Sequence, residues 1–212
     1  MAVVPDGNRR WARTRGLGPT EGHRAGIANV GRVAEAAFAA GVETFSFWWG
    51  SPANLTRRDP AEIAGIVGVL REWLGGDGVE LCRRMDARFE AVGRWRELCP
   101  SLIEVVDAMP VDGERTLVLL MAYDGTEEIL AAARTGPEDR AAFEAALWTG
   151  GLPPVDLLVR TGGEPHFSAG FLLWQLAEAQ LAFPDVVWPD YSPERLREDL
   201  ARFAATERRF GR

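Results

Sequence analysis

The segment Ala2-Val3-Val4-Pro5-Asp6-Gly7-Asn8-Arg9-Arg10-Trp11 carries the first clear sign of the fold, because a short apolar run leads directly into a polar loop. The run predicts a buried strand, and the loop then opens a helix whose free backbone N–H groups suit a diphosphate. Asp6 would repel that anion unless a hard divalent cation such as Mg²⁺ lay between them. Taken alone, however, the segment favours an ordinary turn with solvated arginines.

Further apolar runs predict the other strands of the sheet. They are Val42–Trp48, Phe89–Val92, Thr116–Ala122 and Leu157–Val159, with Val186–Trp188 as the weakest. Each is short enough to be a buried strand of a parallel sheet.

Helical patterns separate these runs. One apolar face joins Ile27 to Phe38 and ends at Gly41, which suits the residue after a helix. A second helix begins at Asp59-Pro60, with Glu62 completing a capping box, and a third begins at Ser192-Pro193-Glu194. The alternation predicts an α/β fold, with residues 1–212 forming one domain around a mostly parallel sheet flanked by helices. Ligands of such sheets bind beyond the carboxyl ends of the strands.

Two more loops resemble anion sites. Gly22-His23-Arg24-Ala25-Gly26 stands near a helix start, although a lone histidine there is more often a cap or a surface residue. Arg160-Thr161-Gly162-Gly163-Glu164 follows a strand, and its alternative is a Gly-Gly turn with a stray arginine. Three such loops at strand ends together favour a diphosphate site over coincidence.

Composition excludes several classes of protein. The formal net charge of −7 and a pI of about 5.0 leave no basic surface for a nucleic acid. Cys82 and Cys99 form neither a zinc motif nor a disulfide framework. Neither a leader peptide nor a run of eighteen apolar residues is visible, so we expect a cytoplasmic protein with at most peripheral membrane contact.

The chain closely resembles the cis-prenyltransferases, the undecaprenyl diphosphate synthase family, from Ala2 to Gly211. The matching segments, in order, are Asp6-Gly7-Asn8, Arg10-Trp11-Ala12, Gly22-His23, Asn54 with Arg57, Arg160 to Glu164, Phe171-Leu172-Leu173-Trp174-Gln175, Trp188-Pro189-Asp190 and Glu207-Arg208-Arg209-Phe210-Gly211. The resemblance implies a six-stranded parallel sheet, a homodimer, and an apolar tunnel beside the diphosphate loops.

The resemblance also implies roles for individual residues. Asp6 would organise Mg²⁺, and Asn54 and His23 would assist at the reacting end. Substrate binding would fall to Gly7, Asn8, Arg9, Arg10, Trp11, Arg57, Arg160, His166 and Ser168. Arg10 would hold an allylic diphosphate, whereas Arg160 and Ser168 would bind the diphosphate of isopentenyl diphosphate.

Several positions depart from the family pattern. Glu164-Pro165-His166-Phe167-Ser168 stands where Glu-His-Arg-x-Ser is usual, with one residue added before Phe171. In one register His166 replaces the arginine; in the other Pro165 is the insertion and His166 is the metal-binding histidine. In both registers an arginine for the second diphosphate is missing.

Other departures concern the metal and the product. Gln180, in an expected helix over Leu173–Phe183, replaces a metal-binding glutamate, and Pro19 replaces an arginine. The glutamate usual before Asn54 is also missing. Trp49 stands where long-chain enzymes carry a small residue, which predicts a short product.

Three functions remain open on these residues. The first is a short-chain (Z)-prenyl diphosphate synthase, and the second is an enzyme that performs an irregular head-to-middle condensation. The third is a non-catalytic partner subunit that assembles with a sister protein.

Overall fold

Six strands form one sheet in the computed structural model, which describes residues 1–206. They span Ala2–Val4 (β1), Thr44–Gly50 (β2), Ala87–Val92 (β3), Arg115–Met121 (β4), Leu157–Arg160 (β5) and Gln180–Ala182 (β6). Every neighbouring pair is parallel, in the order β3-β4-β2-β1-β5-β6. The predicted α/β class is therefore confirmed. The family marker Glu207–Gly211 lies outside the described residues.

Helices cover both faces of the sheet. They span Asn8–Arg13 (α1), Pro19–Ala39 (α2), Pro52–Arg57 (α3), Pro60–Trp73 (α4), Val79–Arg84 (α5), Trp95–Leu98 (α6), Ile103–Asp107 (α7), Gly125–Arg134 (α8), Arg140–Ala146 (α9) and Pro193–Ala205 (α10). A π-helical turn follows α4 at Leu74–Gly78, and 3₁₀ turns lie at Pro100–Leu102 and Trp188–Asp190. The larger core cluster packs α2 and α4 on one face, and a smaller cluster around Tyr123 and Phe171 covers the other.

Local signals placed several helix ends correctly. Gly41, with φ 90°, donates to the Phe38 carbonyl, and the next residue donates to the Ala37 carbonyl, a Schellman ending of α2. The Asp59 carboxylate accepts from the backbone N–H groups of residues 61 and 62 at the start of α4. The reciprocal half of the predicted capping box is absent, because the Glu62 carboxylate lies near two arginines instead.

The sixth strand was predicted in the wrong place. Val186–Trp188 is not a strand, and Trp188 opens a 3₁₀ turn. The strand is Gln180–Ala182, inside the segment that was expected to be a helix from Leu173 to Phe183. Leu172 takes a left-handed φ of 48°, and residues 180–182 pair with β5, so ladder hydrogen bonds prevail over the helical pattern.

A bulge ends the regular pairing of β2 with β4. Trp48 pairs with Leu120 and Gly50 pairs with Met121, which leaves Trp49 without a partner of its own. The two indoles point to opposite faces, as strand alternation predicts: Trp49 belongs to the larger cluster, and Trp48 packs beside Phe171 in the smaller one. Bulges of this kind commonly lie next to functional sites.

The strand order explains where a ligand can bind. After β1 the chain adds β2 on one side, and later it returns to place β5 on the other side of β1. Parallel sheets bind ligands at such a reversal, beyond the carboxyl ends of the strands. The loops after β1, β2 and β5 meet there. None of the helices within residues 1–206 is both long and apolar enough to span a bilayer.

Two glycines let α1 lie directly against α2. A Cβ at Gly22 would collide with the backbone carbonyl of Asn8, and one at Gly26 would collide with the Asn8 amide group. The close approach brings the loop after β1 beside His23. The glycines flanking His23 are therefore required by packing.

We expect Gly22→Ala to lower the free energy of unfolding by about 1–3 kcal/mol, since the backbone of α1 must move to admit the methyl group. Gly68→Ala is the matched control, because a Cβ at Gly68 in α4 would meet open space. That variant should be more stable by roughly 0.5–1 kcal/mol. Urea denaturation measures both, and equal stability changes in the two variants would contradict the packing argument.

Candidate active site

A cavity of about 270 Å³ lies beyond the carboxyl ends of β1, β2 and β5. Its lining comprises Val4, Pro5, Asp6, Gly7, Asn8, Arg9, Arg10, His23, Trp48, Trp49, Gly50, Asn54, Arg58 and Ser168. Three arginines against one aspartate give this lining an excess of two positive charges, although the chain as a whole carries −7. The cavity therefore favours an anion locally.

Asp6 and Arg160 join the loops after β1 and β5. Arg160 Nη2 donates to Asp6 Oδ2 at 3.0 Å, and the Arg160 side chain is only 4% exposed. Thr161 reinforces the junction, because its Oγ1 accepts from the Asp6 backbone N–H at 3.0 Å and donates to the Asp6 carbonyl at 2.8 Å. The Asp6 carboxylate is thereby held at the cavity wall.

Arg10 is held beside the same carboxylate. Its Nη1 donates to the Gly162 carbonyl at 3.1 Å, and its Nη2 lies 3.7 Å from Asp6 Oδ1. Gly162 has φ 97°, and a Cβ there would collide with the Arg10 guanidinium. Gly162 is thus part of the site, because it lets Arg10 approach.

The start of α1 adds backbone donors to this wall. Gly7, with φ 107°, turns the chain into the helix, and Trp11 N–H makes the first intrahelical bond, to the Gly7 carbonyl at 2.8 Å. The N–H groups before Trp11 precede the helical ladder. The Trp11 side chain does not line the cavity; its Nε1 donates to Asp190 at 2.8 Å and anchors α1.

His23 is a buried cavity residue, which contradicts the surface or capping alternative. Its ring meets the Trp49 ring edge-on, with centroids 5.7 Å apart. Burial, with smaller contributions from Arg58 and Arg9, lowers the pKa of His23 to about 4. The imidazole is therefore neutral at physiological pH.

Several buried polar atoms at the cavity have no partner. Within the described part of the chain, His23 Nε2, Trp49 Nε1, Asn8 Oδ1 and Arg160 Nε are buried without a hydrogen bond from protein atoms. Buried polar groups are nearly always satisfied in folded proteins, so their concentration here points to a polar ligand or water.

Asn54 is fixed at the cavity by a capping box at the start of α3. Its Oδ1 accepts from the Ser51 N–H, and its own N–H donates to Ser51 Oγ, both at 3.2 Å. Arg57, predicted to bind substrate, is exposed and does not line the cavity. The neighbouring Arg58 lies there instead, and sequence reasoning missed it although the two arginines are adjacent.

The altered segment after β5 brings only one of its predicted residues to the cavity. Ser168 lines it and accepts from Arg160 Nη1 through Oγ at 2.8 Å. The His166 side chain is 54% exposed and lies 3.7 Å from Glu164, while its backbone carbonyl accepts from Arg160. The His166 side chain therefore does not line the cavity.

Among residues 1–206, Asp6 is the only acidic residue that lines the cavity. No cluster of three or more His, Cys, Asp or Glu side chains that could hold a metal occurs in residues 1–206. Gln180 pairs with Leu157 at the start of β5, whereas Arg160 ends that strand. A single carboxylate nevertheless suits Mg²⁺, which is commonly held by one or two carboxylates together with substrate phosphates and water.

Comparison with known proteins identifies the family. The family profile described as "Putative undecaprenyl diphosphate synthase" matches residues 4–211. An isoprenyl transferase of Caulobacter vibrioides is 34% identical over all of this chain and 86% of its own length. Dehydrodolichyl diphosphate synthase 1 of Arabidopsis thaliana is 32% identical over all of this chain and 75% of its own length.

A solved structure supports the same assignment. The crystal structure of lavandulyl diphosphate synthase from Lavandula x intermedia, in complex with dimethylallyl diphosphate, superposes with a TM-score of 0.93 at 29% identity. It covers all of this chain, which in turn covers 97% of that structure. With its parallel sheet, its diphosphate-type loops and these relatives, the chain belongs to the undecaprenyl diphosphate synthase family of cis-prenyltransferases.

Proposed function

We propose that this transferase joins an allylic isoprenoid diphosphate to isopentenyl diphosphate and releases a short (Z)-prenyl diphosphate. The observation that carries the proposal is the cavity in which Asp6, Arg10 and the start of α1 surround a locally positive space. Dimethylallyl diphosphate, which the similar plant enzyme holds, is the first allylic substrate to test.

The reaction forms one carbon–carbon bond and breaks one carbon–oxygen bond. The allylic C–O bond breaks and its electron pair leaves with the diphosphate. The double bond of isopentenyl diphosphate supplies the electrons of the new bond, and a proton leaves the adjacent carbon. The products are a prenyl diphosphate longer by one unit, inorganic diphosphate and a proton.

Residues of this chain bind and orient both substrates. Arg10, Arg9, Gly7 and Asn8 surround the leaving diphosphate, and positive charge there stabilises the transition state in which it departs. Neutral His23 and the fixed Asn54 border the reacting end. Arg160 and Ser168 bind the diphosphate of the second substrate, while Trp49 limits the space for the growing chain.

Asp6 is the residue that would hold Mg²⁺. When bound, the ion neutralises charge on the leaving diphosphate. The Arg160 hydrogen bond keeps the Asp6 carboxylate in place for this role.

A head-to-middle condensation is the second candidate. It is favoured by the segment after β5, where the His166 side chain is exposed and residues 164–168 contain no arginine. Incubation with dimethylallyl diphosphate alone, followed by product identification by mass and carbon skeleton, distinguishes the two reactions. A branched product supports the alternative, and no product with any substrate pair would support a non-catalytic partner subunit.

Assembly and location are part of the proposal. β6 is an edge strand, and exposed apolar side chains lie on it and before it, among them Leu181, Leu173 and Phe167. These features support a homodimer through that edge. The buried free thiols of Cys82 and Cys99 support a reducing, cytoplasmic setting.

We expect Asp6→Ala to lower kcat by about 10² or more, because charge stabilisation at the departing diphosphate is lost. Asp6→Asn keeps a hydrogen-bond acceptor for Arg160 but removes the charge, so it should lose a similar factor in kcat while remaining folded, with a melting temperature above that of Asp6→Ala. Steady-state kinetics at saturating Mg²⁺ and thermal denaturation measure both effects. Near-normal turnover of the Asn variant would exclude the assigned role.

We expect Trp49→Ala to lengthen the product. The wild-type product should contain about two to four isoprene units in total. Forcing further methylenes past the packed Trp49 indole would cost on the order of 1–3 kcal/mol. Trp148→Ala removes an equal ring from the smaller cluster on the opposite face of the sheet, outside the cavity lining, and should leave product length unchanged. Chromatography of the dephosphorylated products measures chain length. Long products from the wild type, or equal effects of the two variants, would rule out a steric stop at Trp49.

A further inference from the structure

Arg58 faces the cavity with its hydrogen-bonding capacity unused. Its side chain is 28% exposed and lines the cavity together with Asp6, Arg10 and His23. Within residues 1–206 its nearest carboxylate oxygen is Glu62 Oε1, 3.8 Å from Nη1, which is beyond hydrogen-bond distance. Because none of its five N–H donors is hydrogen-bonded to residues 1–206, this half-buried guanidinium is prepared to receive an acceptor.

Glu62 is shared between two arginines. Its Oε1 lies 3.7 Å from Arg9 Nε and 3.8 Å from Arg58 Nη1, and this buried oxygen accepts no hydrogen bond from the described residues. Because it lies between these arginines, the Glu62 carboxylate does not accept the hydrogen bond from the Asp59 backbone N–H that would complete a capping box. The single Glu62 carboxylate thus partly neutralises two guanidinium groups without a hydrogen bond to either.

The pair of arginines is consequently under-neutralised. Burial lowers the pKa of Arg58, and Arg9 adds to this effect, whereas Glu62 opposes it. A diphosphate oxygen at the cavity wall would relieve the repulsion between the two guanidinium groups. Arginine binds such oxygens through paired N–H donors.

We propose that Arg58, supported by Arg9, is a substrate-binding residue that grips the diphosphate held by the Asp6–Arg10 loop, and that Glu62 competes with this diphosphate for both arginines. This inference rests on the proposed function, since it concerns the same cavity. It assigns to Arg58 the role that the family resemblance gave to Arg57. Arg58 directly follows α3 with an extended ψ of 165°, and its side chain, unlike that of Arg57, reaches the cavity wall.

The proposal is tested directly by measuring the affinity for inorganic diphosphate in the presence of Mg²⁺ with isothermal titration calorimetry. Arg58→Met should weaken binding about 10-fold or more, because a charge-assisted pair of hydrogen bonds is lost. Arg58→Lys should recover part of the affinity. Glu62→Gln should tighten binding by about 3-fold, because the competing charge is removed while the side chain keeps its size.

Two further arginines serve as comparisons. Arg71 lies in the last turn of α4, outside the cavity, so Arg71→Met should bind like the wild type. Arg57→Met should also bind like the wild type if Arg58 carries the role. Weaker binding by Arg57→Met with unchanged binding by Arg58→Met would overturn the proposal, and so would weaker binding by Glu62→Gln.

A second readout follows His23, one of only two histidines in the chain. Because Arg58 depresses the pKa of His23, Arg58→Met should raise the pKa measured by NMR, while exposed His166 remains unchanged as an internal reference. An unchanged His23 pKa would contradict the placement of Arg58. Neither measurement requires turnover, so diphosphate binding that depends on Arg58 without product formation would reject the proposed reaction and keep this inference.

Discussion

The buried guanidinium of Arg160 is the interaction on which the site depends. It ends β5, donates to the Asp6 carboxylate that follows β1, and holds both Ser168 Oγ and the His166 carbonyl. A buried cation is stable only when its donors are matched by charge and acceptors. Two neighbouring strand ends and the altered segment after β5 are therefore fixed together, and this junction forms one wall of the cavity.

Close packing positions the rest of the cavity lining. The glycines of α2 admit α1 at backbone contact, which brings the first turn of α1 and buried His23 to the same space. The bulge at the end of β2 then turns the Trp49 ring against His23. The cavity thus combines a charged side for diphosphates with an apolar side for a hydrocarbon, as an isoprenoid diphosphate requires.

Charge at this site is local rather than global. The chain is acidic overall, yet arginines outnumber carboxylates in the cavity lining, and several of its buried polar atoms lack protein partners. Such incomplete satisfaction is costly in a core but useful where a ligand completes it. The shared position of Glu62 between Arg9 and Arg58 follows the same logic, because loose ion pairs can be exchanged for a stronger anion.

The sequence by itself determined the α/β class, five of the six strands and the N-caps of α4 and α10, and the family resemblance named Asp6, Arg10, His23 and Asn54, which all line the cavity. These features follow from local periodicity, capping chemistry and short motifs, which act over a few residues. Tertiary structure alone decided that residues 180–182 form β6, that Arg58 rather than Arg57 reaches the cavity, and that the His166 side chain points outward. Those outcomes depend on strand pairing and on contacts between residues far apart in the chain, and local sequence patterns carry no information about such contacts.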